Sequence, residues 1–225
     1  IHTYAPGTRR MYKVWQYYAQ PQFRDHLFVK IDDDVVFIET GKFADFVDAV
    51  EANPDRILSA EVVNNGACTE FMPDLWQGFQ SLGIPLLDVH ESNMYAQISH
   101  NFMADNWRAL VSRPTSIADI ETWLSINFIG LNHPMLANLA ARIGRRAPAQ
   151  IADRVWGPRD RIGDEGAANM FGRAVMTGFT VGHLGFGPQK VTEAQEGKWR
   201  ADYADIATEY LAGVANRNSP DELVR

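Results

Sequence analysis

Apolar residues recurring at three- and four-residue intervals mark the first element. Met11, Val14, Trp15 and Tyr18 share one face of a helix that Thr8 caps and that runs to Ala19, before Pro21. His26 to Ile31 is a short apolar run with β-branched Val29 and Ile31, and it reads as a buried strand. It stops at three aspartates, after which Val35 to Ile38 resumes as a second extended piece. From Thr40, Phe43, Phe46, Val47 and Val50 line one face of a helix that ends near Asn53-Pro54. Ile57 to Val63 predicts a strand, Asn64-Asn65-Gly66 a turn, and Leu75, Trp76 and Phe79 a helix after Pro73. Further along, Asn101 to Val111 and Pro134 to Ile143 read as helices, and Trp123 to Ile129 as an alternating strand. The Arg-, Pro- and Gly-rich stretch from Arg142 to Asp164 predicts a long mobile loop. Val175 to Val181 is the last predicted strand and Tyr203 to Val214 the last helix. Strands alternating with helices give an α/β layered domain.

Composition narrows the picture. A chain of 225 residues, 46% hydrophobic and 22% charged, buries a real core and is neither disordered nor collagen-like. Its formal net charge of −7 lacks the basic footprint of a duplex nucleic-acid binder, so no nucleic-acid partner is expected. Cys68 is alone, which removes internal disulfides and thiol zinc sites and fits a reducing compartment. No apolar run approaches the ~20 residues that cross a bilayer, so no membrane span is expected and the predicted location is cytoplasmic.

Asp32, Asp33 and Asp34 carry the sharpest chemical signal. Three adjacent carboxylates at the end of an apolar strand repel one another, and something positive should offset them. Carboxylate oxygens are hard ligands that suit Mg²⁺ or Mn²⁺, and ligands of open α/β sheets bind at the carboxyl ends of strands. The plain alternative is a solvated acidic turn. Two enzyme classes use such a placement. In a HAD-like phosphohydrolase Asp32 is the nucleophile, Asp34 and Val36 complete the opening motif and Ser59 mimics the second. The apolar strand that should precede that family's last acidic motif is missing, because Arg154 to Ile162 is rich in charge.

The longer match is to sugar-nucleotide-dependent glycosyltransferases of GT-A fold. Phe28 to Phe37 resembles the metal-binding strand of beta-1,3-galactosyltransferase-like proteins and their bacterial and fungal relatives. Ser59 to Asn65, Ser125 to Gly130, Gly163 to Gly166 and His183 to Gln189 resemble later blocks of that group in the same order. The resemblance implies one glycosyltransferase-like domain over 1–225, with a GT-A-like mixed sheet flanked by helices. It implies Asp32, Asp34 and His183 as ligands of Mn²⁺ or Mg²⁺, with Asp164 favoured over Glu165 as the base of an inverting transfer. Lys30, Asp33, Asn64 and Asn127 would contact substrate, the donor being a nucleotide sugar and the acceptor a glycan or other hydroxyl compound. Only 31 residues precede Asp32, fewer than such a domain needs for its N-terminal nucleotide-binding part. Either the chain is a piece that starts inside the domain, or a shortened domain or a partner serves the nucleotide. A non-enzymatic glycan-binding module is the remaining alternative. Among the aromatic and basic residues, Trp76 and Trp123 read as core, Trp156 as a loop aromatic able to touch an acceptor. Arg142, Arg145, Arg146, Arg154, Arg159 and Arg161 could meet a diphosphate or an anionic glycan, or simply solvate a loop.

Overall fold

A computed structural model describes residues 12–81, 83 and 90–217. The predicted capping role of Thr8 lies outside them. Eight helices of at least four residues and eight strands are found among the described residues. Helix α1 (Tyr12–Tyr18) leads into strand β1 (Leu27–Ile31), the aspartate triplet and strand β2 (Val35–Ile38). Helix α2 (Phe43–Ala52), strand β3 (Arg56–Val63) and helices α3 (Gly66–Thr69) and α4 (Pro73–Ser81) follow. Helix α5 (Asn93–Val111) starts eight residues before its predicted origin at Asn101, because Ser92 caps it by accepting the Tyr95 N–H at 3.1 Å. Strand β4 (Ser116–Asp119), which the pattern did not predict, precedes strand β5 (Phe128–Asn132) and helix α6 (His133–Arg142).

Two predicted segments take a different form. Trp123 to Asn127 does not join the sheet, although both of its faces are largely buried. From Leu124 to Ile126 side chains bond its backbone instead. Asn169 brackets the Leu124 N–H and C=O at 2.8 Å each, Asn65 donates to Ser125 O, and Lys30 donates to Ile126 O. The stretch from Arg142 to Asp164 is not a bare loop, since strands β6 (Gln150–Ile151) and β7 (Arg154–Val155) pair within it and Arg146 bridges Arg161. Helix α7 (Asp164–Ala168), strand β8 (Gly172–His183) and helix α8 (Glu193–Arg217) complete the chain.

The main sheet has the order β1-β5-β3-β8-β2, with β4 pairing β8 beside β2. Only β3 and β8 run parallel, so the sheet is of mixed orientation. Its two faces build two cores. Leu58, Ala60 and Val62 of β3 pack with Phe46 and Val50 of α2 and with aromatic residues of α5 and α8, whereas Ile57, Ile129 and Leu131 pack with α1, α6 and α7. This alternation is the period-two pleat expressed as helices on both faces.

Strand β8 serves two neighbours by bending. Ala60 and Glu61 are adjacent on β3, yet they face Met176 and Thr180, so Thr177, Gly178 and Phe179 form a wide bulge. Gly178 lies at φ +74°, and a Cβ there would sit 2.3 Å from Pro114 O. Buried carboxylates replace the missing ladder: Glu61 accepts the Gly178 N–H at 2.7 Å and Glu39 the Thr180 N–H at 2.9 Å. Lys42 and Arg113 balance their charge, at 2.7 Å from Glu39 and 2.8 Å from Glu61. No helix among the described residues is long and apolar enough to cross a membrane.

Candidate metal and acid-base site

The triplet joins β1 to β2, which stand at opposite ends of the strand order. Four interstrand gaps of ~4.8 Å make a flat sheet ~19 Å wide, more than the ~14 Å that the four steps from Ile31 to Val35 can reach. The sheet therefore curls at this end, and the triplet closes it. Asp32 N–H donates to Asn127 O at 2.9 Å on one side, and Leu184 N–H donates to Asp34 O at 3.0 Å on the other. This closure brings the ends of β1, β5 and β8 to one cleft of about 430 Å³, lined by Asp32, Asp33, Asp34, Asn127, Glu165 and His183 among others.

Ligand atoms of Asp32, Asp34 and His183 all lie within 4.8 Å of one another. His183 is buried, with Nε2 3.1 Å from Asp34 Oδ1 and 3.1 Å from Asn127 Nδ2. The orientation of that amide is fixed from a distance. Ala67 N–H can only donate, so Asn65 presents Oδ1 to it at 3.2 Å and donates Nδ2 to Asn127 Oδ1 at 3.0 Å. Asn127 Nδ2 therefore faces Asp32 Oδ2 at 3.2 Å and His183 Nε2. A proton on Nε2 satisfies Asp34 and opposes Asn127, while a lone pair there satisfies Asn127 and leaves Asp34 facing another acceptor. A cation among the two carboxylates and Nε2 satisfies all three groups. Two hard oxygens and an imidazole nitrogen suit Mn²⁺ or Mg²⁺. Burial would raise the Asp34 pKa, but the hydrogen bond and charge of His183, with backbone donors, hold it below the ordinary carboxylate value. Lys30 supplies part of the expected positive charge, bonding Asp32 and donating to Ile126 O at 2.6 Å.

Glu165 and Asp164, adjacent in sequence, part company. Glu165 lines the cleft; Trp123 Nε1–H and Ser125 Oγ–H both donate to its Oε1, the latter at 3.3 Å. Among the described residues nothing bonds Oε2. Burial pushes the Glu165 pKa up, against the pull of Trp123 and the charge of Arg154. Asp164 instead accepts from Trp15 Nε1 at 3.2 Å and lines a second, mainly apolar cavity of about 670 Å³. Of the two, Glu165 is the one that reaches the cleft of the triplet. Asp33 is exposed and, like Asp32, borders both cavities.

The remaining predicted residues divide by geometry. Asn64, at φ +67°, turns its amide inward to Leu184 O at 2.9 Å and exchanges hydrogen bonds with Gln189. It holds the loop whose Gly185, Phe186 and Pro188 line the cleft and does not line it itself. Asn127 spends its amide on Asn65, Asp32 and His183. Ser59 is fully buried and donates to Ala60 O and Phe128 O, which removes it from any phosphate site. Trp156 is half-buried against Trp123, with ring centroids 6.0 Å apart. His90, Glu91 and Phe186 also line the cleft; Phe186 falls in the His183 to Gln189 block, whereas no local pattern marks the other two. Comparisons of the chain with protein-family models, curated proteins and solved structures find no match.

Proposed function

We propose that this chain carries the catalytic centre of a metal-dependent, inverting glycosyltransferase of GT-A-like fold, moving a sugar from a nucleoside diphosphate donor to a hydroxyl acceptor. The observation that carries the reading is one cleft in which Asp32, Asp34 and His183 converge while Glu165 offers a free carboxylate oxygen. Asp32, Asp34 and His183 would hold Mn²⁺ or Mg²⁺, which when bound neutralises the charge of a departing diphosphate. Glu165 Oε2 takes the proton of the acceptor hydroxyl as that oxygen attacks the anomeric carbon. Its raised pKa makes the carboxylate a stronger base, and the Trp123 and Ser125 donors fix its direction. Asn127 orients Asp32 and His183.

Calorimetry with Mn²⁺ and a panel of nucleoside diphosphates tests this reading. Nucleotide binding should require the metal, and Asp34→Asn and His183→Ala should each weaken Mn²⁺ binding by more than about tenfold. Glu165→Gln should keep metal and nucleotide binding and lose transfer. Nucleotide binding that is indifferent to Mn²⁺ would overturn the reading.

A further inference from the structure

Of the six arginines concentrated between residues 142 and 161, one lines the cleft: Arg154, at the start of β7. Its guanidinium carbon stands 4.2 Å from the centroid of the Trp123 ring. Arg154 is half-buried, and its guanidinium makes no hydrogen bond to any described residue and has no described carboxylate within 4 Å. Two other arginines spend donors inside the protein, whereas Arg142 sits over Phe171 without a further side-chain partner among the described residues, but outside the cleft. Arg113 bonds Glu61 and Phe71 O, and Arg173 bonds the carbonyls of Asn169, Phe171 and Glu121. The Arg154 nitrogens stay open to the cleft, so the idle donors are available to an anionic ligand.

Its position is fixed as well as its charge. Contact with the indole face holds the guanidinium over the ring. Trp123 is itself pinned, because its Nε1–H donates to Glu165. One ring therefore sets the spacing between the proposed base and the idle fork. Arg154 is also the one Lys or Arg among the described residues that line the cleft, beside Asp32, Asp33, Asp34, Glu91 and Glu165.

We infer that Arg154 is a specificity-determining residue that receives the carboxylate of an acidic acceptor sugar, a uronic acid residue, beside the hydroxyl that Glu165 deprotonates. This rests on the transfer reading above. The acceptor, rather than the donor diphosphate, is assigned because the ring that seats Arg154 also donates to Glu165, the proposed base. A planar fork matches a planar carboxylate through two parallel hydrogen bonds.

Methyl β-D-glucuronide and methyl β-D-glucoside, which differ at C6, separate the possibilities. Both are titrated into the full chain without donor or metal, followed by the ¹⁵Nε–¹Hε signal that Arg154→Lys removes. The chain should prefer the glucuronide at least tenfold, with the Arg154 signal shifting. Arg154→Gln should abolish that preference, and Arg154→Lys, which keeps charge without the fork, should retain only part of it. Equal affinity for the two glycosides in the native chain overturns the proposal. So does an Arg154→Gln protein, folded by its amide spectrum, that keeps the preference. A tenfold loss of Mn²⁺-dependent nucleoside diphosphate binding in Arg154→Gln instead assigns the fork to the donor and overturns it equally. Selective glucuronide binding in a chain that binds no nucleotide would leave the oxyanion site standing and the transfer reading fallen.

Discussion

His100 is held neutral inside the protein. Its Nε2 donates to Leu184 O at 2.7 Å, its Nδ1 lies 3.1 Å from the Tyr203 hydroxyl, and burial pushes its pKa down to about 4. The unfolded chain takes up this proton below about pH 6.5, whereas the folded chain resists until about pH 4. Stability from this group is therefore complete above pH 6.5 and lost as pH falls towards 4, by about 3 kcal/mol at the limit. Urea unfolding across that window should show a shallower pH dependence for His100→Gln than for the native chain, and equal slopes would refute the assignment. A second prediction concerns Asn127. Asn127→Leu removes the amide that steers Asp32 and His183, and should weaken Mn²⁺ binding by about tenfold with the fold intact, as supporting residues of metal sites do. Titration by Mn²⁺ electron paramagnetic resonance reads this directly. Asp32, Asp34 and His183 stand out in the sequence because each borders an apolar run. The choice between Asp164 and Glu165 does not. Neighbours on one helical turn point ~100° apart, and Trp15 and Trp123, distant in sequence, decide which one faces the cleft.

Among elements, the apolar periodicity located α1, α2, α4, α5, α6 and α8 and two of the three inner strands, β3 and β8, since burial there follows the period, and it missed the short core helices α3 and α7. It failed where side chains replace the ladder. Trp123 to Asn127 alternates like a strand, but amides of Asn65 and Asn169 and the Lys30 ammonium take up its backbone. Strand β4 was illegible because it is short and largely exposed. Strand β5 also carries a tight contact that its sequence hides. A Cβ on Gly130 would lie 2.2 Å from Val50 Cγ2 and 3.0 Å from the Phe46 ring, so α2 sits directly on the strand. Gly130→Ala should cost about 1–3 kcal/mol through overpacking. Adding Val50→Ala should relieve the clash, so that the two costs are not additive in denaturant unfolding.

For the whole molecule, the ion pairs at the bulge tie β2, β3 and β8 to the end of α5. Lys42 reaches Glu39 and the carbonyls of Val111, Arg113 and Gly178, and Arg113 reaches Glu61 and Phe71 O. Burial raises the pKa values of Glu39 and Glu61 even so. Arg113→Met leaves Glu61 buried with the Gly178 N–H and the more distant charge of Lys42 but no direct ion pair, at a cost of about 3–5 kcal/mol near pH 7. The deficit should shrink as pH falls through the raised pKa of Glu61, because protonation removes the buried charge. A deficit constant with pH would place the loss elsewhere.

The three residues inserted between Met176 and Thr180 act as a phase shifter for the strand that ends in His183. Side chains of a strand alternate sides, so the length of that insertion decides on which side the imidazole emerges. Excising one of Thr177, Gly178 or Phe179 would carry His183 away from Asp34 with every proposed ligand still in place. The chemistry at one end of β8 is thus gated by a count of residues near its middle.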